Sequence, residues 1–197
     1  MNRRTALRRT GQIAGATALT PSLLALLNAC QSEAHLDWQP QFFSNEEARC
    51  ISSLIDTILP RTDTPGALDV QVDRFIDKVI AETYSSEAQQ HIRSEIAQFN
   101  EKCKQLVGST FADANEKERM KILQAAEAEA GTFNGAVWGT AVGEQKPVGF
   151  YRSIKAMALG AYLSSEKIGE SVLSYDPVPG GYQGCIPVSE VGNRWSL

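Results

Sequence analysis

Histidine is nearly missing from this sequence: there are two among 197 residues, alongside four cysteines. His35 lies in a polar stretch and His91 in the first turns of a helical segment, so neither has the company that a metal centre or an acid–base pair requires. No Cys-x-x-Cys-His and no cysteine cluster occurs, which excludes covalently attached haem and an iron–sulfur centre held by this chain. No Gly-x-Gly-x-x-Gly opens a strand–helix unit, so the chain has no motif for FAD or NAD. The glycine-rich run Gly180-Gly181-Tyr182-Gln183-Gly184 follows a proline and reads as turn. Glu127 and Glu129 are two apart on a helical segment and cannot face each other, so they belong to a solvated face. Apolar runs fall short of the ~20 residues of a transmembrane helix. No stretch alternates long enough, with enough β-branched residues, to form a sheet. These absences leave an all-α fold with no catalytic residue, cofactor site or metal site of its own.

What is present begins at the N-terminus. Asn2-Arg3-Arg4-Thr5-Ala6-Leu7-Arg8-Arg9 precedes a mildly apolar segment from Ile13 to Leu27, with no acidic residue before Glu33. A basic head followed by a short apolar run is the pattern of an export signal. The pair Arg3-Arg4 resembles the twin-arginine signal, which serves proteins exported already folded. Leu27-Asn28-Ala29-Cys30 resembles a bacterial lipobox, in which Cys30 is acylated and becomes the new N-terminus. The expected organisation is a signal over 1–29, a lipidated tether over 30–41 and one helical domain over 42–197.

Cleavage after residue 29 leaves 168 residues. Subtracting the four leader arginines from 19 basic residues leaves 15 against 23 acidic ones, a net charge of −8. Such a balance argues against nucleic acid and against electrostatic binding to anionic lipid. Besides Cys30, the cysteines Cys50, Cys103 and Cys185 remain, an odd number in an oxidising compartment.

Five helices are expected. Ser44 and Glu47 form a capping-box pattern ahead of Ala48, Ile51, Leu54, Ile55 and Ile58, and Pro60 ends that run. A second helix carries Leu68, Val72, Phe75, Ile76, Val79 and Ile80 on one face. The third starts near Ser86, with Gln89 completing a second box, and buries Ile92, Ile96, Phe99, Cys103 and Leu106 up to Gly108. That seam makes Cys103 a small buried hydrophobe. The fourth spans about 115–130 with Met120, Leu123 and Ala126 inward. A glycine-rich segment over 131–147 breaks regular structure. The fifth, from Val148 to Tyr162, is apolar around much of its circumference, which marks a central or partner-covered helix. From Ser171 onward the chain reads as an irregular tail.

Three stretches carry a family likeness: Ile55-Asp56-Thr57-Ile58-Leu59-Pro60-Arg61-Thr62-Asp63-Thr64-Pro65-Gly66-Ala67 with Val72 to Asp77; Phe150 to Glu166; and Tyr175 to Cys185. Together they resemble the gluconate 2-dehydrogenase subunit 3 family over about 42–187. The resemblance implies a non-catalytic small subunit whose partner is a large FAD-containing flavoprotein of the glucose–methanol–choline type, with a cytochrome c subunit as a further candidate. It marks Pro60, Asp63, Pro65 and Gly66 as the family-motif loop. It also implies that this chain supplies the export signal and membrane tether for a flavoprotein carried out folded. Cys185 is then a candidate for a disulfide to the partner; pairing with Cys50 or Cys103, or a free thiol, stays open. The competing reading is a stand-alone envelope lipoprotein with a structural or solute-binding role.

Overall fold

The structure is a computed structural model that describes residues 36–197, apart from 134, 138–139, 145–146, 177, 179, 182–183 and 197. The chain divides into two units, Met1–Asp37 and Trp38–Leu197, and nearly all the described residues fall in the second. The second unit begins at Trp38, and Gln41, in the stretch read as tether, donates its N–H to Asp77 at 2.6 Å.

Helix α1 runs from Asn45 to Ile58 and opens as its sequence dictates. The Ser44 hydroxyl accepts from the Glu47 N–H at 3.2 Å, and the Glu47 carboxylate accepts from the Ser44 N–H at 2.8 Å. Such a cap contributes about 1 kcal/mol. Ile51, Leu54 and Ile55 are fully buried, each contributing roughly 1.5–3 kcal/mol of hydrophobic stabilisation.

A short 3-10 turn, Leu68–Val70, leads into α2, Val72–Thr83. Here the expectation fails in an informative way. Phe75 is 52% exposed and Leu68 39%, while Asp73 and Asp77 are buried beside Val72, Ile76 and Ile80. The buried stripe is turned so that two carboxylates face inward, where backbone and hydroxyl donors await them, and Phe75 is rotated outward.

Helix α3, Ser86–Val107, is capped by Ser85 and ended by Gly108, whose φ of 84° suits a residue without Cβ. Gln89 does not complete a box. Its amide donates to the carbonyls of Ile80, Ala81 and Tyr84 at 3.0–3.3 Å, serving the otherwise orphaned end of α2. Ile92, Ile96, Phe99 and Cys103 are buried as the seam predicted, but Leu106 is 38% exposed.

Helix α4, Glu116–Glu129, has a full capping box between Asn115 and Glu118. Leu123 is buried as expected, but Met120 is exposed and Ile122 goes in instead. Arg119 takes the next place along the buried stripe, donating to the carbonyls of Phe111 and Ala112 at 3.2 and 2.7 Å. Helix α5, Phe150–Leu163, buries only Tyr151, Ile154 and Ala158.

Among the described residues, two helices go beyond the expected five: α6, Glu166–Ser171, and α7, Val188–Val191. Four two-residue strands also occur among them, correcting the expectation of no sheet. Antiparallel β1 (Ala136–Val137) pairs with β2 (Thr140–Ala141), and parallel β3 (Ser174–Tyr175) with β4 (Trp195–Ser196). Such short ladders rest on backbone geometry and leave no periodic signal. The fold is all-α in substance, with α1, α2, α3 and α5 forming the core. No helix among the described residues is long and apolar enough to cross a membrane.

Candidate functional site

The motif loop is a clasp. After α1 the chain turns at Pro60 and comes back so that the Ala67 N–H donates to the Leu59 carbonyl at 2.9 Å. Asp69, one turn on, accepts from the Gly66 N–H at 2.8 Å and from Arg61 Nε at 2.7 Å. The Tyr162 hydroxyl, near the end of α5, donates to the Pro65 carbonyl at 2.7 Å. Gly66 is buried, and a Cβ there would lie 2.6 Å from the Arg61 nitrogen and 3.0 Å from the Pro60 carbonyl carbon. The loop closes on itself only because this residue has no side chain.

Pro60, Asp63, Pro65 and Gly66 are thus brought into one turn, and the turn ties α1, α2 and α5 together. Asp63 is exposed at its tip. Asp69, which locks the clasp, escaped the sequence reading; its only signal was an aspartate three residues after a buried glycine.

A second construction also escaped it. The Asp77 carboxylate accepts from the N–H groups of Gln41, Phe42 and Phe43 at 2.6, 3.1 and 2.9 Å. Asp73 accepts from the Ser52 hydroxyl at 2.7 Å. Arg93 adds a bond to the Phe42 carbonyl, an ion pair with Glu47 at 2.6 Å and a stacked position over the Phe42 ring. The residues leading into α1 are therefore latched to the helical core by two charged side chains. A carboxylate bonded to three N–H groups is one of the stronger neutral-to-charged arrangements a protein makes.

Several titratable groups elsewhere are held in structural contacts. Glu127 bridges α4 to α5 by pairing with Arg152 at 2.6 Å and Lys155 at 2.9 Å, and hydrogen bonding from Lys155 holds its carboxyl below the usual range. Glu129 pairs instead with Lys102 at 2.5 Å. The two glutamates diverge as their spacing required. His91 is exposed and lies 3.6 Å from Glu95. Burial pushes the Cys50 thiol up to about 12, with Cys103 nearby as a further cause, and burial pushes Cys103 up to about 11. Neither is in a disulfide, and the Cys50 thiol donates to Asn100 Oδ1 at 3.5 Å; burial of this kind disfavours the reactive thiolate. Cys185 is unbonded and exposed. Arg3, Arg4 and Cys30 lie outside the described residues. Among the described residues, no group of three or more histidine, cysteine, aspartate or glutamate side chains is placed to hold a metal ion.

Apolar side chains stand in solvent along the tail. Val178 is 81% and Val188 87% exposed, with Tyr175, Ile186 and Trp195 also exposed. From 177 to 189 the sequence holds no charged residue. A stretch with exposed apolar side chains and no charged residue has the composition of an interface centre.

A family model described as gluconate 2-dehydrogenase subunit 3 matches residues 45–180, from the start of α1 through the motif loop and into the tail. No curated protein and no solved structure matches the chain.

Proposed function

The chain belongs to the gluconate 2-dehydrogenase subunit 3 family, and from that premise we propose that it is the non-catalytic small subunit of a periplasmic FAD-dependent gluconate or sugar dehydrogenase. As an accessory subunit of a dehydrogenase complex, it takes a larger dehydrogenase subunit as its partner. In this reading the partner is a flavoprotein of the glucose–methanol–choline type, with electrons passing on to a cytochrome c subunit. The small subunit gives the complex its export signal, its stability and its lipid anchor.

The observation that carries the reading is the family match across the helical domain. Several features support its finer parts. Arg3-Arg4 and the Leu27-to-Cys30 sequence supply a twin-arginine-like signal and a lipidation site ahead of the domain. Trp38 begins the compact unit, and the Asp77 latch would hold an anchor's pull close to the core. The motif loop acts as a brace between helices, a role suited to a stabilising subunit. Cys185 lies exposed beside Ile186 in the uncharged tail, where a disulfide to the larger subunit would be flanked by apolar contact.

The test is export. Arg3→Lys with Arg4→Lys should leave both this chain and its flavoprotein in the cytoplasm, read by fractionation and flavin absorbance. A flavoprotein that still reached the periplasm would remove the carrier role. Cys30→Ala should release the complex from membranes while dye-linked sugar oxidation continues.

A further inference from the structure

A cavity of about 550 Å³ lies between α3, α4 and α5. Its floor is apolar and partly aromatic, formed by Phe99, Cys103, Leu106, Ile122, Phe150 and Tyr151. Phe99 and Phe150 are in contact there, 5.3 Å between ring centroids and tilted by 48°. The volume falls within the range of sites that take small organic molecules.

The rim sets the chemistry of the occupant. Lys102 is held by Glu129 at 2.5 Å, and Glu95 adds a second carboxylate. Two carboxylates against one committed ammonium repel an anionic head. Gln98 and Gln105 line the same opening, and their amides donate and accept hydrogen bonds without charge. An apolar body would displace poorly bonded water from the floor, while its head exchanged water for glutamine amides.

We propose that this cavity binds a small uncharged amphiphile, with its apolar body against Phe99 and Phe150 and a hydroxyl or carbonyl head at the glutamine rim.

The test titrates N-phenyl-1-naphthylamine, an uncharged fluorophore that brightens in apolar surroundings, into the full chain. The competitors are 1-decanol and decanoate, which differ only in the head. Saturable one-site binding is expected, with decanol at least tenfold more effective than decanoate. Ala126→Phe, which places a ring in the cavity, should weaken binding at least tenfold with the circular dichroism spectrum unchanged. Should that variant fail to fold, Ala125→Leu narrows the same space with a smaller intrusion. The complex with the larger dehydrogenase subunit should bind the fluorophore as the free chain does. The proposal is overturned by unsaturable binding, by equal displacement by decanoate, or by unchanged affinity in a folded filled variant. Loss of the site in the complex overturns it too, since the cavity would then be covered by protein.

Discussion

The residues leading into and out of α1 and the tail from Ser174 to Ser196 treat their groups in opposite ways. Near α1, even charged side chains are drawn in: Asp77 serves three backbone N–H groups, Asp73 a hydroxyl, and Asp69 closes the motif loop. In the tail, side chains that would gain most from burial stand in water, Val178 and Val188 among them. The first region spends specific polar contacts on holding its own shape. The tail leaves apolar area unsatisfied, which makes sense when a second surface is to cover it.

That contrast predicts where substitutions act. The largest loss is expected at the latch: Asp77→Ala orphans three buried or part-buried N–H groups, costing at least about 3 kcal/mol at roughly 1–3 kcal/mol per orphaned group. Urea denaturation reads it, and Asp77→Asn, which keeps an acceptor, should lose less. Next comes Gly66→Ala, whose Cβ meets backbone rather than a movable side chain. About 2–3 kcal/mol is expected by the same measurement, in line with the cost of overpacking. A wild-type stability for either variant would dissolve the picture of a braced front half.

The tail should behave otherwise. Val178→Ser with Val188→Ser should change folding stability by no more than about 0.5 kcal/mol, as exposed positions do. The same pair should reduce recovery of the complex with the larger subunit, measured by co-purification. Unchanged recovery would detach the tail from partner binding.

A separate, pH-dependent effect concerns the thiols. Cys50 and Cys103 have folded values of about 12 and about 11 against an ordinary 9.0. Their values are raised on folding, so stability is full below pH 9. It declines as pH rises from 9 towards the folded values, because the unfolded chain ionises first. Urea midpoints at pH 7 and pH 10.5 should differ in that direction. At pH 8 iodoacetamide should label Cys185 and spare the other two, read by mass spectrometry.

The sequence makes the helices legible where local chemistry is self-contained. Ser44 with Glu47, and Gly108 after a run of four-and-three spacing, need only their neighbours, and α1 and α3 follow them closely. The motif loop is legible through its likeness to other chains, although the reason for Gly66 is a clash seen only when Pro60 and Arg61 are folded over it. Asp73 and Asp77 are illegible for a physical reason. A carboxylate marks solvent unless its partners are known, and those of Asp77 are backbone groups about 35 positions earlier. Phe75 and Met120 were misplaced by the same cause, since Asp73, Asp77 and Arg119 take inward positions that hydrophobicity alone assigns to apolar residues.

The role proposed for this chain depends most on its partner. Affinity purification of this chain from native membranes should bring down a larger polypeptide in fixed ratio, with the absorption of bound flavin. Recovery of this chain without such a polypeptide, or sugar oxidation by the isolated chain, would contradict it.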